Sequence, residues 1–155
     1  MPIINRDIII KAPPEALFNF TSKPVNLTQI WPGLVELKNM KSLSNGGFSF
    51  QWVYKMSGTN FSGSGECVDI MPYHWFTSRM TGGIESNNTW TFRAKRDKTR
   101  VTFTMDYKVP LVLSGRVDVD TLNNMNERES ELLLENLRIL FENKNEVHPV
   151  VVREQ

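Results

Sequence analysis

The sequence predicts an α+β fold: a seven-stranded antiparallel sheet curled around one long C-terminal helix, with two short helices between strands one and two. Three observations carry this. About six strand-like segments run from Leu34 to Val109, many with aromatic residues at every second position, the period of a half-buried strand. Turn signals separate them at intervals of about 10 to 13 residues, which implies long meandering hairpins. From Asp120 to Lys144 the pattern changes to a helical period. A sheet closing on a single amphipathic helix leaves a hollow, and Trp, Tyr, Phe and Met around it suit a small apolar molecule.

Ile3 to Lys11 forms the first strand, with Ile4, Ile8 and Ile10 alternating around Arg6. It ends at Ala12-Pro13-Pro14, and proline at a first helical position with Glu15 in the first turn starts a short helix from Pro14 to Phe20 that buries Leu17, Phe18 and Phe20. A second short helix runs from Pro24 to about Ile30 and must stop before Pro32. The meander then turns at Asn45-Gly46-Gly47, Gly58-Thr59-Asn60, Met71-Pro72, Gly82-Gly83 and Arg96-Asp97-Lys98. Phe48, Phe50, Trp52, Tyr54 and Met56 share one face of their strand, although Val53 interrupts the polar face; Trp90, Phe92 and Ala94 repeat the arrangement. In the last strand, Thr99 to Val109, the alternation is complete, with Val101, Phe103, Met105, Tyr107 and Val109 on one side. Gly63 and Gly65, inside a strand, mark a bend or bulge.

On the long helix Asp118 and Asp120 lie near the start and Arg138 and Lys144 near the end, as the macrodipole prefers. At 100° per residue, Leu122, Asn126, Glu129, Leu133, Leu137 and Leu140 fall on one stripe, flanked by Met125, Ser130, Leu132, Asn136 and Phe141. Its second half is apolar and packs on the sheet. Its first half is mixed, so Asn126 and Glu129 face either a partly wet interior or, if the helix is rotated, the solvent edge.

At 155 residues the chain is long enough for one domain with a sizeable core, taken here as 1–144 with a tail at 145–155. An apolar share of 40% against 23% charged excludes a disordered chain. The 18 basic residues balance 17 acidic ones, so no bulk attraction to nucleic acid is expected. Met1 to Asp7 has neither a basic leader nor a signal-length apolar stretch, and no later run approaches the ~20 residues of a membrane span, which predicts a cytoplasmic protein. Cys67 is the only cysteine, which rules out an internal disulfide and a Cys-based metal site.

His74 and His148 are the only histidines and stand apart, so no metal site is expected; Gly46-Gly47 and Gly82-Gly83 precede no helix, so no nucleotide or other cofactor is expected either. Arg79 faces outward with Trp75 and Thr77 if Phe76, Ser78 and Met80 face inward. In the opposite register it holds an acidic head group beside Glu66 or Glu129. Five basic residues between Arg93 and Arg100 form either a solvated hairpin tip or a contact for anionic lipid, with Pro110-Leu111-Val112-Leu113 as an apolar gate hinged at Gly115. Val150 to Val152 in the tail could pair with a sheet edge.

The order of elements, together with Ile10-Lys11-Ala12-Pro13-Pro14-Glu15-Ala16-Leu17-Phe18 and Val68-Asp69-Ile70-Met71-Pro72, resembles the polyketide cyclase/dehydrase-like branch of the START and Bet v 1-like (SRPBCC) superfamily, from Ile3 to Phe141. The resemblance implies a helix-grip fold with an internal cavity, in a group that includes hydrophobic-ligand and lipid carriers, aromatase/cyclases and chaperone-associated domains. These motifs are turn and packing signals, and no catalytic residue carries over from them.

The expected function is binding or carriage of a small hydrophobic or amphipathic molecule. Its expected cavity is lined by Trp52, Tyr54, Phe76, Met80, Trp90, Phe92, Phe103, Met105, Tyr107, Asn126, Glu129 and Leu133, with Arg79 as the candidate for a polar head group. The first alternative is a metal-free aromatase/cyclase or dehydratase using Tyr54, Tyr107 and Glu129 on a carbonyl-rich substrate. The second is a protein-interaction module whose cavity is filled by its own side chains.

Overall fold

A computed structural model describes residues 2–144. Its elements are β1 (Ile3–Ile10), α1 (Pro14–Thr21), α2 (Pro24–Leu27), β2 (Leu34–Ser42), β3 (Phe48–Met56), β4 (Thr59–Met71), β5 (Trp75–Gly82), β6 (Ser86–Lys95), β7 (Lys98–Tyr107), a 3-10 turn (Leu111–Leu113) and α3 (Val119–Lys144). The seven strands form one antiparallel sheet in the order β1-β7-β6-β5-β4-β3-β2, so the first strand closes beside the last and β2 is the far edge. The architecture is the α+β helix-grip fold. Val150 to Val152 and His148 lie outside the described residues.

Helix α3 lies chiefly along β1, with a lesser contact to β7. Ile4 and Ile10 are buried beneath it, while Arg6, on the same face, reaches Glu127 at 3.1 Å and Glu131 at 3.1 Å on α3. The helix is rotated from the stripe read off its sequence. Ser130 and Leu134 are buried with Leu122, Asn126, Leu133 and Leu137, whereas Met125 and Leu132 are exposed. Rotation places Leu134 against the sheet and leaves Glu129 half-buried at the rim, so the carboxylate keeps contact with water while one oxygen points inward.

Because α3 leans toward β1, the middle of the sheet is covered by α1, α2 and the loop after them. Phe18 of α1 meets Phe76 and Phe92 edge-on with ring centroids 5.8 Å away, and those rings continue a stack through Trp90. Trp31, in the α2–β2 loop, packs edge-on against Phe103 at 5.4 Å and Tyr54 at 5.7 Å. Such aromatic pairs add about 0.5–1.5 kcal/mol each beyond burial.

Several expectations are corrected. Helix α2 ends at Leu27, and a turn carries the chain on, with Trp31 N donating to Leu27 O at 2.8 Å. Gly63 and Gly65 mark no bulge: the pairing with β3 is unbroken through them, and a Cβ would collide with the Thr81 backbone oxygen and the Trp52 ring at Gly63 and with the Phe50 ring at Gly65, so the glycines make room for the next strand and for neighbouring aromatics. The register shift in β4 falls at Cys67/Asp69 instead. Ala94 lies beyond the buried part of β6 and is exposed. The basic hairpin tip and the 3-10 turn sit at opposite ends of β7, about 33 Å apart at ~3.3 Å per residue, so they do not form one lipid-docking site. The turn keeps an exposed apolar tip, Leu111, anchored by buried Leu113.

Candidate functional site

Two small chambers lie between the sheet and its cover. The first, about 30 Å³, is walled by Trp31, Leu34, Trp52, Tyr54, Met80, Ile84, Ser86, Asn88 and Met105; the second, about 20 Å³, reaches from Trp31, Met80 and Asn88 toward Phe50, Cys67, Phe76 and Trp90. Trp31, Met80 and Asn88 border both. Each chamber has room for no more than a water or two at ~15 Å³ per water-sized probe, so the hollow is largely occupied by the protein's own side chains.

The alternation that built β3 puts Trp52 and Tyr54 inward; β6 does the same for Ser86, Asn88 and Trp90, and β7 for Met105. Of the residues expected to line the cavity, Trp52, Tyr54, Met80 and Met105 face the first chamber and Phe76, Met80 and Trp90 the second. Phe92, Phe103, Tyr107, Asn126 and Leu133 are buried but border neither chamber; they are packed core. Arg79 is exposed on the outer face opposite Glu66, too far round the sheet to meet a ligand head group inside. In the first chamber, sequence reasoning missed Trp31, Leu34, Ile84, Ser86 and Asn88. The signal for two of these was present, because running the Trp90/Phe92 alternation back along β6 turns Asn88 and Ser86 inward.

One polar junction closes the wall of the first chamber. Tyr54 donates its hydroxyl proton to Glu129 Oε2 at 2.7 Å, Gly33 N donates to the same oxygen at 2.9 Å, and Trp31 Nε1 donates to the Tyr54 hydroxyl at 3.3 Å. The strand β3, the helix α3 and the α2–β2 loop are thereby joined through one carboxylate. Glycine at 33 is a packing requirement. An added Cβ would fall well inside contact distance of Glu129 Oε2 and 2.7 Å from Tyr54 Cζ.

Burial, and after it the neighbouring Glu129 charge, pushes the Tyr54 hydroxyl well above its ordinary 10.0, so it stays protonated and acts as a donor. That proton is committed to Glu129, and the hydroxyl oxygen is occupied by Trp31. Burial also raises Tyr107, whose hydroxyl donates to Asn123 Oδ1 at 3.3 Å, with Asn126 pulling the other way. The expected trio of Tyr54, Tyr107 and Glu129 therefore separates into a Tyr54–Glu129 pair and a Tyr107–Asn123 pair. Among the described residues no group of three or more His, Cys, Asp and Glu gathers to hold a metal, and no described helix is long and apolar enough to cross a membrane. His74 is exposed in the β4–β5 turn.

The family model described as polyketide cyclase / dehydrase and lipid transport matches residues 1–142. The chain belongs to that family. Among solved structures, the fold is similar to a protein from Thermus thermophilus, with TM-score 0.76 and 19% identity over 91% of this chain and 99% of that one. It is similar to the Zhui aromatase/cyclase from a Streptomyces species, with TM-score 0.71 and 14% identity over 97% and 98%. It is also similar to a START superfamily protein from Mycobacterium smegmatis, with TM-score 0.67 and 12% identity over 94% and 98%. At these identities the likeness is one of fold. No curated protein matches the sequence.

Proposed function

We propose that the domain binds and carries a small, mostly apolar molecule between the sheet and its cover and performs no chemistry on it. One observation carries the reading: of the three residues that border both chambers, Met80 and Asn88 stand on strands, whereas Trp31 belongs to a loop. A loop moves at lower cost than a strand. When the α2–β2 loop leaves the Glu129 junction, Trp31 withdraws and the chambers merge into one hollow lined by Trp52, Phe76, Met80 and Trp90. The family to which the chain belongs supports ligand binding or cyclisation as the coarse role. The commitment of the Tyr54 proton to Glu129 favours binding over catalysis, since a cyclase needs that proton for the substrate carbonyl.

The test is saturable binding of the uncharged dye N-phenyl-1-naphthylamine, followed by energy transfer from the tryptophans. Wild type is expected to bind at micromolar affinity, and Met80→Trp, which fills the space shared by both chambers, to weaken binding by about tenfold or more, the equivalent of ~1.4 kcal/mol. The small volume of the chambers favours a second reading, an interaction module with a filled interior. That reading gains, and the first fails, if the folded protein shows no saturable binding.

A further inference from the structure

We propose that Asn88 selects the ligand, and that the interior takes an uncharged molecule with one hydrogen-bond donor, an alcohol or a phenol, whose hydroxyl donates to Asn88 Oδ1. The inference rests on the ligand-binding reading above and adds the chemical class. Asn88 is only 3% exposed, stands on the inward face of β6 two positions before Trp90, and borders both chambers. Its Oδ1 is buried, and no protein group donates to it. Buried side-chain acceptors are nearly always paired, and leaving one unpaired costs about as much as a lost hydrogen bond or more. An acceptor held in that state at the meeting point of two apolar chambers is completed by a donor from outside the chain. The oxygen is closed to water while Trp31 is seated, and a ligand hydroxyl reaches it when the two chambers merge.

Charge narrows the class further. The buried polar residues among those described are Thr21, Ser86, Asn88, Thr99, Asn126 and Ser130, with no Lys, Arg or His among them. A carboxylate or phosphate brought inside would be an unpaired buried charge, and Glu129 at the rim would oppose it. An ammonium fares no better inside, because no carboxylate is among the buried residues and Glu129 stands half-buried at the rim. A neutral hydroxyl costs far less than a charge to take out of water, and it recovers a hydrogen bond at Asn88.

The test is a binding cycle read by two-dimensional NMR titration with phenol, toluene and benzoate against wild type and Asn88→Leu, a replacement of similar size. Phenol is expected to weaken by about fivefold or more in the variant, the size of one buried hydrogen bond, while toluene binds unchanged or more tightly. Benzoate is expected not to bind wild type at concentrations that saturate phenol. Because the oxygen is unpaired in the folded chain, Asn88→Leu and the smaller Asn88→Ala should both fold, and Asn88→Leu should melt no lower than wild type. A lower melting temperature for Asn88→Leu would mean the oxygen is paired within the protein and would overturn the inference. Phenol and toluene affinities that move together, or benzoate binding as tightly as phenol, overturn the inference and leave the ligand-binding reading standing. If neither neutral probe binds wild type, both fall.

Discussion

Replacing Gly33 by alanine tests whether the carboxylate junction holds the cover on the sheet. The backbone at Gly33 tolerates a side chain, since its φ lies outside the left-handed region, so the substitution acts through space alone. The new Cβ would overlap Glu129 Oε2 and sit 2.7 Å from Tyr54 Cζ, and both partners are held in place, Glu129 by two donors and Tyr54 by burial between Trp31 and the sheet. Relief requires Glu129 to leave. That forfeits the bonds from Gly33 N and Tyr54, which as hydrogen bonds to a charged group are worth about 1.5–3 kcal/mol each when buried. Glu129 is half-buried and recovers part of this in water, so a loss of about 2–4 kcal/mol is expected for Gly33→Ala. Urea unfolding followed by tryptophan fluorescence measures it. In a Glu129→Ala background the same substitution should cost less by about 1 kcal/mol or more, the scale of coupling between residues in contact. Equal costs in both backgrounds, or a cost below about 0.5 kcal/mol in wild type, the range of an uneventful surface change, would refute the junction.

Three further outcomes follow from the same geometry. Tyr54 has a folded-state pKa above its unfolded value, so its contribution is complete below the unfolded pKa of 10.0 and is lost as pH rises beyond it. The stability gap between wild type and Tyr54→Phe should narrow by up to ~1.4 kcal/mol per pH unit above pH 10, and parallel curves there would show that the hydroxyl is not protected. Glu129→Gln keeps a carbonyl oxygen that accepts from Tyr54 or Gly33, so dye affinity should stay within about tenfold of wild type; a complete loss would give the carboxylate a direct part in binding. Trp31→Ala should destabilise the fold by about 3–5 kcal/mol and raise dye affinity by merging the chambers, and unchanged affinity would mean that Trp31 is not the barrier.

Most of the fold was legible in the sequence because strand alternation and turn residues are local signals. Phe103, Met105 and Tyr107 repeat at period two and face inward as read. Which of the two orientations α3 takes was not legible, because Leu132 and Leu134 are equally apolar and only the lean toward β1 decides which is buried. The site was less legible than the fold. Tyr54 and Glu129 were each singled out, but their contact joins residues 75 apart in sequence, and Gly33 and Trp31 complete it from a loop whose path depends on tertiary packing. Asn88 sits in phase with Trp90, yet the sequence carries no sign that its oxygen would be left without a donor.

The proposed function turns on whether the interior receives a small neutral molecule. Native mass spectrometry of the protein purified from its natural host, followed by solvent extraction, tests it most directly. A fraction carrying one adduct per chain is expected, released by extraction as an uncharged compound with a hydroxyl group, with a reduced fraction in Met80→Trp. A native spectrum with only the bare chain mass, for wild type and for the opened Trp31→Ala variant alike, would contradict it.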